Sequence, residues 1–192
     1  MGDPRKQRKK YTKPSHPWEK ARIDEENQLL KEYGLKNKRE VWKARTLLRQ
    51  FTGQAKALVT KSGPQAEKEK IQLLSRLEKF GYIKPGTGTE AVLSINIKNI
   101  LDRRLQTVLF KKGLARTIKQ ARQVIVHRHV NIADKKITTP AYMVSIAEEA
   151  QVKYNELSTL SSTEHAERIP ITKKEKKTRR REVRPKRRRR GM

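Results

Sequence analysis

Between Gly113 and Ile132 the chain reads GLARTIKQARQVIVHRHVNI, and the period of its hydrophobic spacing changes inside that segment. Ile118, Ala121, Val124 and Ile125 fall on one side of a helix at 100° per residue; Lys119, Gln120, Gln123 and His127 fall on the other, with Arg122 at the flank. Thr117 and Gln120 have the spacing of a Thr-x-x-Gln capping box, which starts the helix at Thr117. After His127 the pattern alternates. Val130 and Ile132 sit between polar neighbours, Ala133-Asp134-Lys135 reads as a turn, and Ile137, 142–146 and 152–154 are further strand candidates.

A second helix precedes this one. It is predicted over 99–112 and ends at Gly113, with Leu101, Leu105, Val108 and Leu109 on its apolar face and Arg103, Arg104, Thr107 and Lys111 opposite. Helix, helix and then a small sheet define an α+β module.

The first half of the chain reads as a small all-α unit. Pro17 opens a helix that Gly34 ends, with Leu29, Leu30 and Tyr33 buried. Asn37 caps a second helix and Glu40 completes its capping box. Val41, Ala44, Leu47, Leu48, Phe51, Ala55, Leu58 and Val59 form its core stripe, and Arg45, Arg49 and Lys56 its basic back. Trp42 projects with the basic set; it either stacks on a base or another protein, or is partly buried under a neighbouring element. Pro64 opens a third helix, closed by Gly81, that buries Leu73, Leu74, Leu77 and Phe80. The Lys-Pro-Gly-Thr-Gly run within 82–90 is a loop, and without a following Gly-Lys-Ser/Thr it is not a phosphate loop.

Charge says what such a chain faces. Its 192 residues carry 48 Lys and Arg against 20 Asp and Glu, a formal net charge of +28, whose natural counter-surface is a polyanion. Apolar residues make up 34% and aromatic residues 5%, which limits the core to one or two compact modules with basic ends. The arm 1–16 carries part of that charge, and thirteen basic residues against two acidic ones crowd 173–190. Such ends stay extended when free and condense on a phosphate-dense partner. The stretch 145–172 is mildly acidic and is expected to face solvent or a basic protein. There is no cysteine, hence no disulfide framework or thiolate zinc site, and no apolar run approaches the ~18 residues of a membrane span. No cofactor is implied. His127 and His129 diverge at a helix-to-strand junction with no third ligand, so no metal site is expected.

Two successive helices that each bury one face and line the other with cations and amides suit an RNA backbone, where Arg and Lys neutralise phosphate and Gln, Thr and His bond phosphate and 2′-hydroxyl oxygens. The expected contact face comprises Arg103, Arg104, Lys111, Arg116, Thr117, Lys119, Gln120, Arg122, His127, Arg128 and His129. Arg45, Arg49, Lys56 and the run Arg187, Arg188, Arg189, Arg190 are expected secondary contacts.

Arg104-Leu105, Gly113-Leu114-Ala115-Arg116-Thr117, Ala121-Arg122 and His129-Val130 resemble, in order and spacing, the S-four RNA-binding module. By that resemblance Arg104, Thr117, Arg122 and His129 are among the RNA contacts. Gln106 stands where the module has Asp, Ile118 where it has Arg, Arg128 where it has Gly, and Ala133-Asp134 where it has an Asn-Gly turn. The run His16-Pro17-Trp18-Glu19-Lys20, the run from Tyr33 to Glu40, and Arg103 to Thr107 are similar to the archaeal form of the universal small-subunit ribosomal protein S-four family, over about 11–154. The resemblance implies a monomeric, non-enzymatic, cytoplasmic constituent of the small ribosomal subunit, away from any membrane. It would bind 16S rRNA as a primary binder, help nucleate the body of the subunit, touch neighbours including protein S-five and influence decoding accuracy. The expected organisation is a basic arm (1–16), a helical domain (17–96), the module (97–155), an acidic linker (156–172) and a basic disordered tail (173–192).

Two other functions use the same module. It occurs attached to pseudouridine synthases and tyrosyl-tRNA synthetases, but the helical half supplies no nucleotide fold or recognisable catalytic carboxylate. A free RNA chaperone or ribosome-rescue factor would differ in its stoichiometry on purified small subunits.

Overall fold

The computed structural model describes residues 9–162 and 165; the basic tail with Arg187 to Arg190, and most of the acidic linker, lie outside them. The element order is α1 (Lys20–Glu32), α2 (Lys38–Thr60), α3 (Pro64–Lys79), α4 (Glu90–Leu93), α5 (Ile97–Asp102), α6 (Leu105–Lys111), α7 (Ile118–Val126), β1 (Val130–Ile132), β2 (Lys135–Lys136), α8 (Ile146–Gln151) and β3 (Val152–Tyr154). The strands form one antiparallel sheet of order β2-β1-β3, with Val130 opposite Tyr154 and Ile132 opposite both Lys135 and Val152. The fold class is α+β, as the change of period predicts.

Buried apolar side chains fall into two clusters whose sequence boundary lies between Leu101 and Leu105. The first gathers Leu29, Val41, Phe51, Leu77, Val92 and Ile100 from α1 to α5. The second gathers Leu105, Leu109, Ala121, Ile125, Val130, Val152 and Tyr154 from α6, α7 and the sheet.

The helix expected over 99–112 is broken. Arg104 is extended (φ −70°, ψ 141°), pairs with Met143 as an isolated antiparallel bridge, and separates α5 from α6. The break re-aims the side chains around it: Thr107 is buried and its hydroxyl donates to the Leu101 carbonyl at 2.8 Å. The alternating pattern predicts a strand over 142–146 in the segment that closes this bridge. Instead its backbone bonds to the break, the Leu105 N–H to Tyr142 O at 2.8 Å and the Val144 N–H to Arg103 O at 2.9 Å. Ser145 then caps α8 in a complete capping box with Glu148, a helix the alternating pattern concealed.

Two more expectations are corrected in the helical unit. Asn37 occupies the N-cap of α2, but its side chain makes no cap and Glu40 is drawn elsewhere. Val59, placed in the core stripe, is exposed at the end of α2, where little is left to cover it. Residues 9–16 of the arm find a partner in this chain itself. The Thr12 N–H donates to Thr46 Oγ1 at 3.0 Å, Tyr11 lies 6.0 Å from Trp42 between ring centroids, and Arg22 Nη2 donates to the carbonyls of His16 and Pro17, each at 2.8 Å.

Candidate nucleic-acid interface

The cations of the module divide into an inward set and an outward set. The inward set closes on Glu40, in the first turn of α2. Its Oε2 accepts from Arg104 Nη2 at 2.7 Å and its Oε1 from Arg122 Nη2 at 2.7 Å, while Arg122 Nη1 reaches Oε2 at 3.2 Å and Gln106 Oε1 at 3.4 Å. Gln106, buried within α6, donates its amide to the carbonyls of Gly34 at 3.1 Å and Ile118 at 3.0 Å. Gly34 itself has φ +56°, and a Cβ there would stand 2.9 Å from Ile118 Cγ2. A side chain other than hydrogen at this position would meet the start of α7, so glycine permits the close approach.

One carboxylate therefore serves two guanidiniums across the seam between the cores. Burial alone would raise the Glu40 carboxyl, but the hydrogen bond from Arg122 and the charge of Arg104 outweigh it and hold the group below the ordinary glutamate value. Arg104 is less well compensated: burial lowers its pKa, and the attraction of Glu40 does not fully offset this beside the like charge of Arg122. The asymmetry follows from the count, since the acid has two cations and Arg104 shares its single acid with a competitor.

Arg103 is also engaged within the fold. Its Nη1 donates to Glu149 Oε2 at 2.6 Å and its Nε and Nη2 to the Val144 carbonyl at 3.2 and 2.9 Å, which fastens α8 to the helix break. Glu149, expected to face solvent or a basic protein, meets a basic group of its own chain. The helical-wheel placement of Arg104 and Thr107 on a solvent face is overturned, because the wheel assumed one uninterrupted helix.

The outward set lies on α7 and the structure after it. Lys119, Gln123 and His127 are exposed and four residues apart, hence one ridge. Thr117 accepts the Gln120 N–H at 3.1 Å, and Gln120 Oε1 accepts the Arg116 N–H at 2.8 Å, so the cap is built as predicted on the Thr117 side and one residue earlier on the other. Arg116 is half-buried. Arg128 is exposed with φ +65°, and Ala133 in the hairpin turn has φ +50°. Both adopt the left-handed backbone that glycine takes without strain. His129 Nδ1 lies 2.8 Å from Ser158 Oγ, which fixes its ring, and the His127 and His129 ring centroids are 6.3 Å apart. Lys135 and Lys136 are exposed on β2. Lys119, Arg128, Lys135 and Lys136 make no ion pair among the described residues, whereas Lys111 pairs with Asp102 at 3.2 Å.

On α2, Arg49 and Lys56 are exposed, and Arg45 is half-buried beside Glu25 and Glu26 at 4.0 and 3.9 Å. Glu26 is fully buried, accepts the Trp42 indole N–H at 3.0 Å and pairs with Arg22 at 2.7 Å, so Trp42 is partly buried and pinned at its indole N–H. Sequence spacing does not reveal Glu40, Gln106 and Glu26 as organising groups. Glu40 had a local explanation as a capping residue, and nothing in the helical spacing singles out Gln106 or Glu26.

Residues 103–150 match the S4 domain family. The chain is 45% identical to the small ribosomal subunit protein uS4 of Methanococcus maripaludis strain S2, over 91% of this chain and 99% of the relative. It is 46% identical to the small ribosomal subunit protein uS4 of Methanococcus aeolicus, over 90% of this chain and 98% of that relative.

Proposed function

The chain belongs to the uS4 family of small ribosomal subunit proteins, and from that premise we propose that it is a structural, non-enzymatic constituent of the subunit that holds 16S rRNA. The observation that carries this reading is the division of charge in the module. Inward arginines are neutralised by Glu40 and Glu149, while Lys119, Arg128, Lys135 and Lys136 stand exposed without a carboxylate among the described residues. Exposed cations on preformed elements neutralise phosphates at low ordering cost.

In this reading Arg116, Thr117, Lys119, Gln120, His127, Arg128 and His129 contact the rRNA directly, and Arg122 adds its partly exposed guanidinium. Arg103 and Arg104 act from behind, holding the helical unit and α8 in register with the contact face. Arg49 and Lys56 extend the basic surface, and the four terminal arginines add contacts from the tail. Early binding organises the body of the subunit, with protein S-five among the neighbours, and places the protein where it influences decoding accuracy in the cytoplasm.

The test is filter binding of the full chain to small-subunit rRNA across a salt series. The log of affinity is expected to fall with log salt at about 0.7–0.9 per phosphate contact, and Lys119→Glu to reduce the slope by about one contact. A salt-independent affinity would overturn the proposal.

A further inference from the structure

The arm and the start of α2 enclose a cleft of about 760 Å³ that the rRNA-facing module does not use. Its lining brings together Tyr11, Trp18 and Trp42, both tryptophans of the chain among them, although aromatic residues are only 5% of the sequence. Lys9, Lys13 and Arg39 line the same cleft and are exposed. Trp42 is held as a fixed wall, its N–H donated to buried Glu26 and its ring packed on Tyr11. Trp18 is different: it is 90% exposed and stands at the lip.

A tryptophan left 90% in water beside a walled cleft is a large apolar face without a partner among the described residues. Among the described residues of the lining Glu26 is the single acid; it is inaccessible and already has Arg22, Lys38 and Arg45 around it, so the accessible charge of that lining is positive. A volume of this size lies within the ~300–1,000 Å³ range of sites that enclose small ligands, room enough for a nucleotide. Aromatic faces interleaved with lysine and arginine are the arrangement that binds unpaired nucleotides, because each base has a π-face and each linkage a phosphate. An acidic peptide would use the cations and leave the rings idle.

We propose that this cleft takes an unpaired nucleotide of RNA, its base stacked on Trp18 against the Trp42 wall and its phosphate held by Lys13 and Arg39. The site is a second RNA contact, separate from the module face, and it rests on the reading of the chain as an rRNA binder. It reads no paired sequence; it requires a base that has left its helix.

The test uses the full chain and short single-stranded oligoribonucleotides, with three competitors: an abasic oligonucleotide of the same length, a blunt RNA duplex and polyglutamate. Binding is read by quenching of tryptophan fluorescence and by equilibrium titration. The single strand is expected to bind roughly tenfold more tightly than the abasic strand, consistent with one stacked base. Trp18→Ala should abolish that preference, and Trp18→Phe should retain most of it. Because Trp18 is exposed, neither change should alter the circular dichroism spectrum. Equal affinity for the abasic strand, an unchanged preference in Trp18→Ala, or polyglutamate binding as tightly as RNA would each overturn the proposal. The same variants are titrated with folded small-subunit rRNA in the salt series. A normal salt slope there, with no stacking preference, would refute the cleft alone; loss of the slope in the unaltered chain would refute the rRNA reading itself.

Discussion

Replacing Glu40 by alanine should damage this protein more than removing any exposed charge. The carboxylate accepts from two guanidiniums at 2.7 Å, and its side chain is 13% exposed. The two arginines fare differently without it. Arg122, 25% exposed, can turn to water; Arg104, 6% exposed, is left as a buried cation whose Nε already has no hydrogen bond among the described residues. Stranding one buried charge costs about 3–5 kcal/mol, and partial solvation of the cluster points to the lower end, about 3 kcal/mol. For a chain of this size that is roughly 6–12 °C in Tm. Glu40→Gln keeps an acceptor and should lose less, about 2 kcal/mol, as expected when a hydrogen bond to a charged group survives without the charge. The assay is urea denaturation followed by circular dichroism, with Lys111→Ala as an exposed control that should move stability by less than about 0.5 kcal/mol. pH supplies a second signature. The Glu40 carboxyl is held below its ordinary value when folded, so the unfolded chain binds its proton more readily. Its contribution is complete above about pH 4.3 and is lost as pH falls through the folded value. The stability gap between the unaltered chain and Glu40→Gln should therefore shrink on acidification. If Glu40→Ala matches the Lys111→Ala control, or if the gap is independent of pH down to the acid transition, the seam does not hold the two cores as argued.

Two further outcomes follow from the geometry. Gln106→Leu removes the donor to the Gly34 and Ile118 carbonyls and leaves both beneath an apolar side chain; it should cost about 1–3 kcal/mol, measured by urea denaturation. Ala133→Gly and Arg128→Gly each relieve a left-handed backbone and should raise stability by up to about 1 kcal/mol in thermal melts. Of the two, only Arg128→Gly should also reduce the salt slope for rRNA, since only it removes a cation; equal slopes would remove Arg128 from the contact face.

The sequence determined the elements whose cause is local. Helical spacing placed α2, α3 and α7, Thr117 capped α7, and alternation after His127 placed β1 and β3, because each depends on residues within a few positions of one another. Left-handed backbone occurs at Arg128, where the module it resembles has glycine, and at Ala133, where that module has the asparagine of an Asn-Gly turn, so both positions take positive φ without glycine. Tertiary structure alone decided which charges are spent inside the molecule. Glu40 meets Arg104 and Arg122 across 64 and 82 residues, and Arg103 meets Glu149 across 46. With 48 basic and 20 acidic residues, any acid has many possible partners, and periodicity cannot choose among them. The break at Arg104 shows the choice: extended backbone there pairs with Met143, and the guanidinium reaches Glu40 in the first turn of α2. Charge told what kind of surface this protein meets, and the packing of two cores against one carboxylate decided which cations remain free to meet it.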